Sequence, residues 1–167
     1  LKHVEKVRIN PGNFADRKGG WSGEGISDAD FAHGRERVQQ LFGDFLQEAK
    51  RLKRAIRLGI NHGSLSERML RRYGDTPEGM VESCLEYLRV ARSLDFEDIV
   101  ISMKSSNVQV MTQAVRLLVE RMDEMGVHFP LHIGVTEAGE GEDGRIKSAV
   151  GIGSLLTDGL GDTLRVS

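Results

Sequence analysis

The stretch Ala55-Ile56-Arg57-Leu58-Gly59-Ile60-Asn61 alternates apolar and polar residues with a period of two. Successive side chains of a strand point to opposite faces, so Ile56, Leu58 and Ile60 meet one layer while Arg57, Gly59 and Asn61 meet another. Working outward, the same alternation appears in Val4 to Ile9, where Val7 and Ile9 oppose Arg8 and Asn10. It appears in Asp98 to Met103, where Ile99, Ile101 and Met103 oppose Val100, Ser102 and Lys104, and in Thr163 to Val166, where Leu164 and Val166 oppose Thr163, Arg165 and Ser167. Leu131 to Val135 makes a fifth run, with His132 on the polar side. Between the runs apolar residues take helical spacing, as in Val38, Leu41, Phe42, Phe45, Leu46, Ala49 and Leu52. Strands alternating with helices predict βα units on a parallel sheet. An open α/β sheet is covered on both faces and has nearly continuous apolar strands. These strands are half polar, so the predicted fold is α/β: a partial (β/α)8 TIM-type barrel of about five parallel strands with flanking helices, its polar parity facing a lumen.

Local signals place the helices. Ser64 with Glu67 three residues on reads as a capping box, and Thr76 before Pro77 as an N-cap followed by proline at the first helical position. Met80, Val81, Cys84, Leu85, Leu88, Ala91 and Leu94 then form one stripe. Met111, Ala114, Val115, Leu118, Met122 and Met125 form another, closed by Gly126, and the last helix falls within Ile146 to Thr157. Asn13 to Asp28 reads as the least structured stretch, and the acidic Gly139 to Gly144 as a mobile lid.

The 167 residues amount to one domain's worth of chain, with 23 Lys plus Arg against 25 Asp plus Glu. A net charge of −2 lacks the basic excess that a nucleic-acid backbone selects, so nucleic acid is not an expected partner. Cys84 is the single cysteine, which excludes a disulfide framework and a multi-cysteine metal or cluster site built from this chain alone. There is no apolar run of about 18 residues and no signal-peptide pattern. The chain therefore reads as soluble and intracellular, without a membrane partner. It begins at Leu1 without Met and stops at Ser167 directly after a strand-like run, as though cut from something larger.

Parity aims Arg8, Arg57, Lys104 and Arg165 at one shared space, with Asn10, Asn61 and Ser167 beside them. Unpaired charge is costly to bury, and the same strand positions carry no acids that could neutralise it. A polyanionic ligand fits better: arginine forks match phosphate oxygens and lysine supplies a point charge, which suggests a diphosphate. Glu137, just beyond the fourth strand, sits where barrel enzymes place catalytic residues and could act as acid or base. A structural ion pair with a neighbouring cation is the plain alternative. His132 reads as a deeper, hydrogen-bonded interior residue, and His62 as the one other histidine near the mouth. Gly139 to Gly144 lacks the ligand pattern of an EF-hand, and Gly151, Gly153, Gly159 and Gly161 do not make a dinucleotide fingerprint. Cys84 reads as a small core hydrophobe, and Lys50, Arg51, Lys53 and Arg54 as a solvated helix end. Trp21 has no assigned role.

The motifs Val7-Arg8-Ile9-Asn10-Pro11-Gly12-Asn13, Ile56 to Leu65, Ser102-Met103-Lys104-Ser105-Ser106, Gly134-Val135-Thr136-Glu137-Ala138-Gly139 and Gly159 to Ser167 span nearly the whole chain in order. They resemble the 4-hydroxy-3-methylbut-2-enyl diphosphate synthase family. Asn61 to Pro77 and the long connection after Asn13 are similar to the longer variant found in plants and some bacteria. The resemblance implies an oxidoreductase of non-mevalonate isoprenoid biosynthesis. Its barrel binds methylerythritol cyclodiphosphate, and it reductively opens the ring with two electrons from ferredoxin or flavodoxin. It implies that Arg8, Arg57, Asn61, Lys104, Arg165 and Ser167 bind the diphosphate and that Glu137 is catalytic. It also implies a [4Fe-4S] cluster whose ligands are not in this chain but in an iron–sulfur domain, in cis or from another subunit. Residues 1–167 would then be a substrate-binding barrel fragment, strands four to eight, lacking the first strands and inactive alone. The setting would be bacterial cytoplasm or the plastid stroma. Two other readings stand beside it: an aldolase-like barrel forming a Schiff base at Lys104, and a non-catalytic phosphate-binding module.

Overall fold

A computed structural model describes residues 1–16 and 24–166, so Trp21 and the expected ligand residue Ser167 lie outside the described residues. In chain order the elements are β1 (Lys6–Ile9), α1 (Pro11–Phe14), α2 (Asp28–Leu52), β2 (Ala55–Asn61), α3 (Glu67–Tyr73) and α4 (Pro77–Ser93). They continue with β3 (Ile99–Lys104), α5 (Val108–Met125), β4 (His132–Ile133), α6 (Gly141–Thr157) and β5 (Thr163–Leu164). β1, β2 and β3 pair in parallel, with Arg8 level with Arg57 and Asn61 level with Lys104. A parallel bridge between Ile101 and Leu131 sets β4 beside β3, and β4 pairs in parallel with β5. The strands thus follow chain order and form a stretch of barrel wall, not a closed barrel.

The period-two reading holds where helices cover the sheet. Ile56, Leu58, Ile60 and Ile101 are no more than 1% exposed and share one core with Phe42 and Leu46 of α2, Met80 and Leu88 of α4, and Leu118 of α5. Burying each such side chain contributes about 1.5–3 kcal/mol as an upper bound. Helix ends follow local chemistry. The Thr76 hydroxyl accepts from Gly79 N–H (3.1 Å) ahead of α4, and Gly126 closes α5 in the left-handed region at φ 65°. No described helix is long and apolar enough to cross a membrane.

Four local expectations change. The N-cap of α3 is Ser66, not Ser64, because the Ser64 hydroxyl is engaged toward the strand ends instead. The acidic stretch does not form a lid: α6 starts at Gly141 with Glu142 and Asp143 in its first turn, where the helix dipole favours negative charge. β4 and β5 are two residues each, shorter than the runs that announce them. Leu164 and Val166 are 51% and 57% exposed, since no described helix lies over β5.

Candidate functional site

Four strands bring their inward cations to one side of the sheet. Arg8 crosses over β2 and donates from Nη2 to the Gly59 carbonyl at 2.9 Å. A Cβ at position 59 would fall inside van der Waals contact with Arg8 Nε, so glycine is what lets the guanidinium lie there. Partial burial, then the charge of Arg57, lowers the proton affinity of Arg8. Arg57 is half-buried, and its Nε is buried with no hydrogen-bond partner among the described residues. Lys104 ends β3, and its ammonium is held below the usual lysine range by burial and by Arg165, Arg57 and Arg8, in that order. Arg165 follows β5 and is fixed by its N–H, which donates to the Ile133 carbonyl at 3.0 Å. Gly134 permits that approach, because a Cβ there would collide with the Arg165 carbonyl.

None of these four cations meets a carboxylate among the described residues. Elsewhere cations do: Arg51 pairs with Glu48, Arg72 with Asp28 and Arg116 with Asp158. Arg68 is bonded to both Asp16 (2.8 Å) and Glu86 (2.7 Å) and also lies over the Phe31 ring. That buried clamp joins the turn after α1 to α3 and α4, and so holds the connection leaving β1. The mouth itself is laced by small polar groups. Asn10 Nδ2 donates to Ser64 Oγ (3.3 Å), Ser64 Oγ donates to the Asn61 carbonyl (3.1 Å), and Asn10 Oδ1 accepts from Gly12 N–H (3.0 Å). His62 turns away to the connection between α3 and α4, its Nε2 3.4 Å from Asp75 Oδ1.

Glu137 lies beyond β4 in the left-handed region (φ 50°), exposed and without a hydrogen bond or ion pair to any described residue. Its loop is tied to the end of β3, because Thr136 N–H donates to the Ser105 carbonyl (3.3 Å). The plain alternative, a structural ion pair with a neighbouring cation, is therefore not what these residues form.

One member of this face escaped the sequence reading, and another was read as inward and hydrogen-bonded without its charged surroundings. Lys6 precedes Arg8 by two residues, so parity alone could have placed it on the same side. His132 Nδ1 lies 2.8 Å from Thr163 Oγ1, and the ring's proton affinity is lowered by burial and then by Lys104, Arg57, Lys6 and Arg165. A cleft of about 490 Å³ elsewhere, lined by Asp16, Asp30, His33, Arg37, Glu67 and Arg71 among others, shares no residue with the cation set and mixes both signs of charge.

A metal cluster does not fit these residues. Among the described residues no three His, Cys, Asp or Glu side chains come together as ligands. Cys84 is fully buried on α4, where desolvation pushes its thiol far above the usual range and keeps it protonated.

A parallel α/β wall whose polar face carries cations without carboxylate partners among the described residues defines a domain of the TIM-barrel class. Residues 1–167 match the GcpE TIM-barrel domain, and the chain belongs to that family. It is 68% identical over all 167 residues to a protein of Porphyromonas gingivalis named 4-hydroxy-3-methylbut-2-en-1-yl diphosphate synthase (flavodoxin), of which it covers 28%. Proteins of the same name from Leptospira interrogans and Parabacteroides distasonis are 56% and 58% identical over 100% and 98% of this chain, which covers 25% and 27% of them. The chain thus spans about a quarter of the length of the curated relatives it matches.

Proposed function

We propose that residues 1–167 form the diphosphate-binding part of a 4-hydroxy-3-methylbut-2-enyl diphosphate synthase, an oxidoreductase of isoprenoid biosynthesis. The observation that carries this reading is the set of four inward cations without a described carboxylate, with Arg57 Nε buried and unbonded. A bound cyclic diphosphate supplies what that geometry lacks. Arg8, Arg57 and Arg165 offer forks to its phosphate oxygens, Lys104 a point charge, and Asn61 and Ser167 neutral contacts. Charge-assisted contacts of about 1.5–3 kcal/mol each, several together, outweigh the cost of association and give micromolar binding.

Glu137 is the acid–base residue of the reading. It has no hydrogen bond or ion pair among the described residues, and its loop is tied to the end of β3, the strand that carries Lys104; a carboxylate held at a barrel's strand ends can accept or deliver a proton. Methylerythritol cyclodiphosphate is the substrate in this proposal. The reducing electrons come from flavodoxin, as the relatives' names suggest, or from ferredoxin. A [4Fe-4S] cluster belongs to an iron–sulfur domain in cis or on another subunit, since the residues here do not suit it. The setting is bacterial cytoplasm or plastid stroma.

Titrating methylerythritol cyclodiphosphate into the chain in a calorimeter tests the assignment. Saturable binding that is lost in Arg57→Met is expected, and turnover by the chain alone with a reductant would overturn the division of labour. A Schiff-base role for Lys104 has one observation in its favour, the lowered proton affinity of the ammonium. Borohydride trapping with a carbonyl substrate separates the two, because a diphosphate-binding Lys104 is not trapped.

A further inference from the structure

His132 is a polar group of β4 on the cation face, and its environment differs from that of every other histidine in the chain. His3, His33 and His128 are exposed, and His62 is turned to Asp75. His132 is level with Thr163 across the β4–β5 pair, and that hydroxyl fixes its Nδ1 at 2.8 Å. Nε2 is left with no hydrogen-bond partner among the described residues. The charged groups around it come from all four other strand segments: Lys6 of β1, Arg57 of β2, Lys104 of β3 and Arg165 after β5. All are cations. The acid nearest in sequence to Thr163, Asp162, is occupied in accepting from Leu131 N–H at 2.7 Å.

We propose that His132 is a further ligand-facing residue of this site: oriented by Thr163, its imidazole takes up a proton when a polyanion enters among the cations of this face, and donates from Nε2 to it. The reasoning is Coulombic. Without a polyanion, a further positive charge would be repelled by Lys6, Arg57, Lys104 and Arg165 and would be partly desolvated, so the neutral ring is favoured. A diphosphate reverses the sign of the local field, and the imidazolium form then gains an acceptor. The arrangement supplies an extra charge only when there is charge to match, so the cation face is otherwise spared more repulsion. This rests on the polyanion reading of the site.

Histidine-ring NMR of the full chain, titrated between about pH 5 and 9 with and without saturating pyrophosphate, tests it. The His132 signal is assigned by its loss in His132→Asn and, should that variant fail to fold, by its selective shift in Thr163→Val. In the free chain His132 is expected to titrate below about 6.5, and pyrophosphate to raise the midpoint by about one unit or more, a tenfold gain in proton affinity. The other four histidines should not move. If the Arg57 and Lys104 backbone signals respond to pyrophosphate while the His132 midpoint stays fixed, the inference is wrong and the anion site stands. If pyrophosphate perturbs none of these signals, the anion site falls and the inference falls with it.

Discussion

The guanidinium of Arg8 lies across Gly59 of the neighbouring strand, its Nη2 donating to that carbonyl at 2.9 Å, in the space a side chain at position 59 would fill. One cation of the site is thereby set by the absence of a Cβ. The contact is made by the far end of a flexible side chain, so Arg8 can move aside at modest cost. Gly59→Ala should therefore change stability in urea by no more than about 1 kcal/mol, while pyrophosphate affinity falls about tenfold through loss of one ordered charge-assisted contact. Gly12→Ala is the contrasting control. There the new Cβ meets the backbone carbonyl of Ser64, which cannot step away, and a loss of about 1–3 kcal/mol is expected.

Arg57→Met should separate binding from folding. It removes a buried, unbonded Nε and relieves repulsion on Arg8 and Lys104 while keeping most of the apolar stem. Calorimetry with pyrophosphate should show at least a roughly tenfold loss of affinity. The thermal midpoint should stay level or rise, whereas a clear fall would mean that Arg57 is a structural residue.

Lys104 gives the protein a pH signature. Its ammonium is held below the ordinary lysine value of about 10.4. Between the lowered value and the ordinary one the unfolded chain binds more protons than the folded chain, so stability rises with pH across that window and levels off above it. Below the window both states are protonated and the repulsion is at its full cost. The urea midpoint should climb through this range in the wild type and climb less in Lys104→Met. Pyrophosphate should flatten the difference.

The Arg68 clamp should be among the most sensitive positions outside the site. Arg68→Met leaves Asp16 and Glu86 facing each other without their shared cation, with side chains only 13% and 6% exposed. Breaking a buried pair in this way costs about 3–5 kcal/mol, readable as a shift of the urea midpoint. A change under about 1 kcal/mol would show that water already reaches the clamp.

Glu137→Gln isolates the proposed chemistry. In a complete synthase it should lower kcat by about a hundredfold or more, the range for loss of a general acid or base. Pyrophosphate binding by the chain should be unaltered. Unchanged turnover would leave a binding-only module as the better reading.

The barrel wall and its cations were legible because strand parity is a property of the chain itself. Arg8, Arg57 and Lys104 needed only an alternation of two, confirmed by the burial of Ile56, Leu58, Ile101 and Met103 opposite them. What lay beyond reach depended on neighbours. The exposure of Leu164 and Val166 is set by what covers an edge strand, which no local pattern encodes. Ser64 carries a good capping signal, yet its hydroxyl is drawn to Asn10 and Asn61, and the helix starts two residues later at Ser66. The acidic run after Gly139 fits a loop by composition and a helix start by dipole, and the dipole prevails. His132 showed its inward parity but not its company, since register sets Thr163 beside it and the folded sheet sets Lys6, Arg57, Lys104 and Arg165 around it.

At position 137 the demands of folding and of the proposed chemistry diverge. The backbone there adopts φ 50°, a conformation that suits glycine and strains a side chain bearing a Cβ by about 1–2 kcal/mol. Breeding this domain for heat resistance alone would reward a glycine or asparagine at that spot, because no described contact defends the carboxylate. On the proposed reading, the hardier descendants would keep the cations that grip phosphate and quietly lose the carboxylate meant to turn that grip into a reaction.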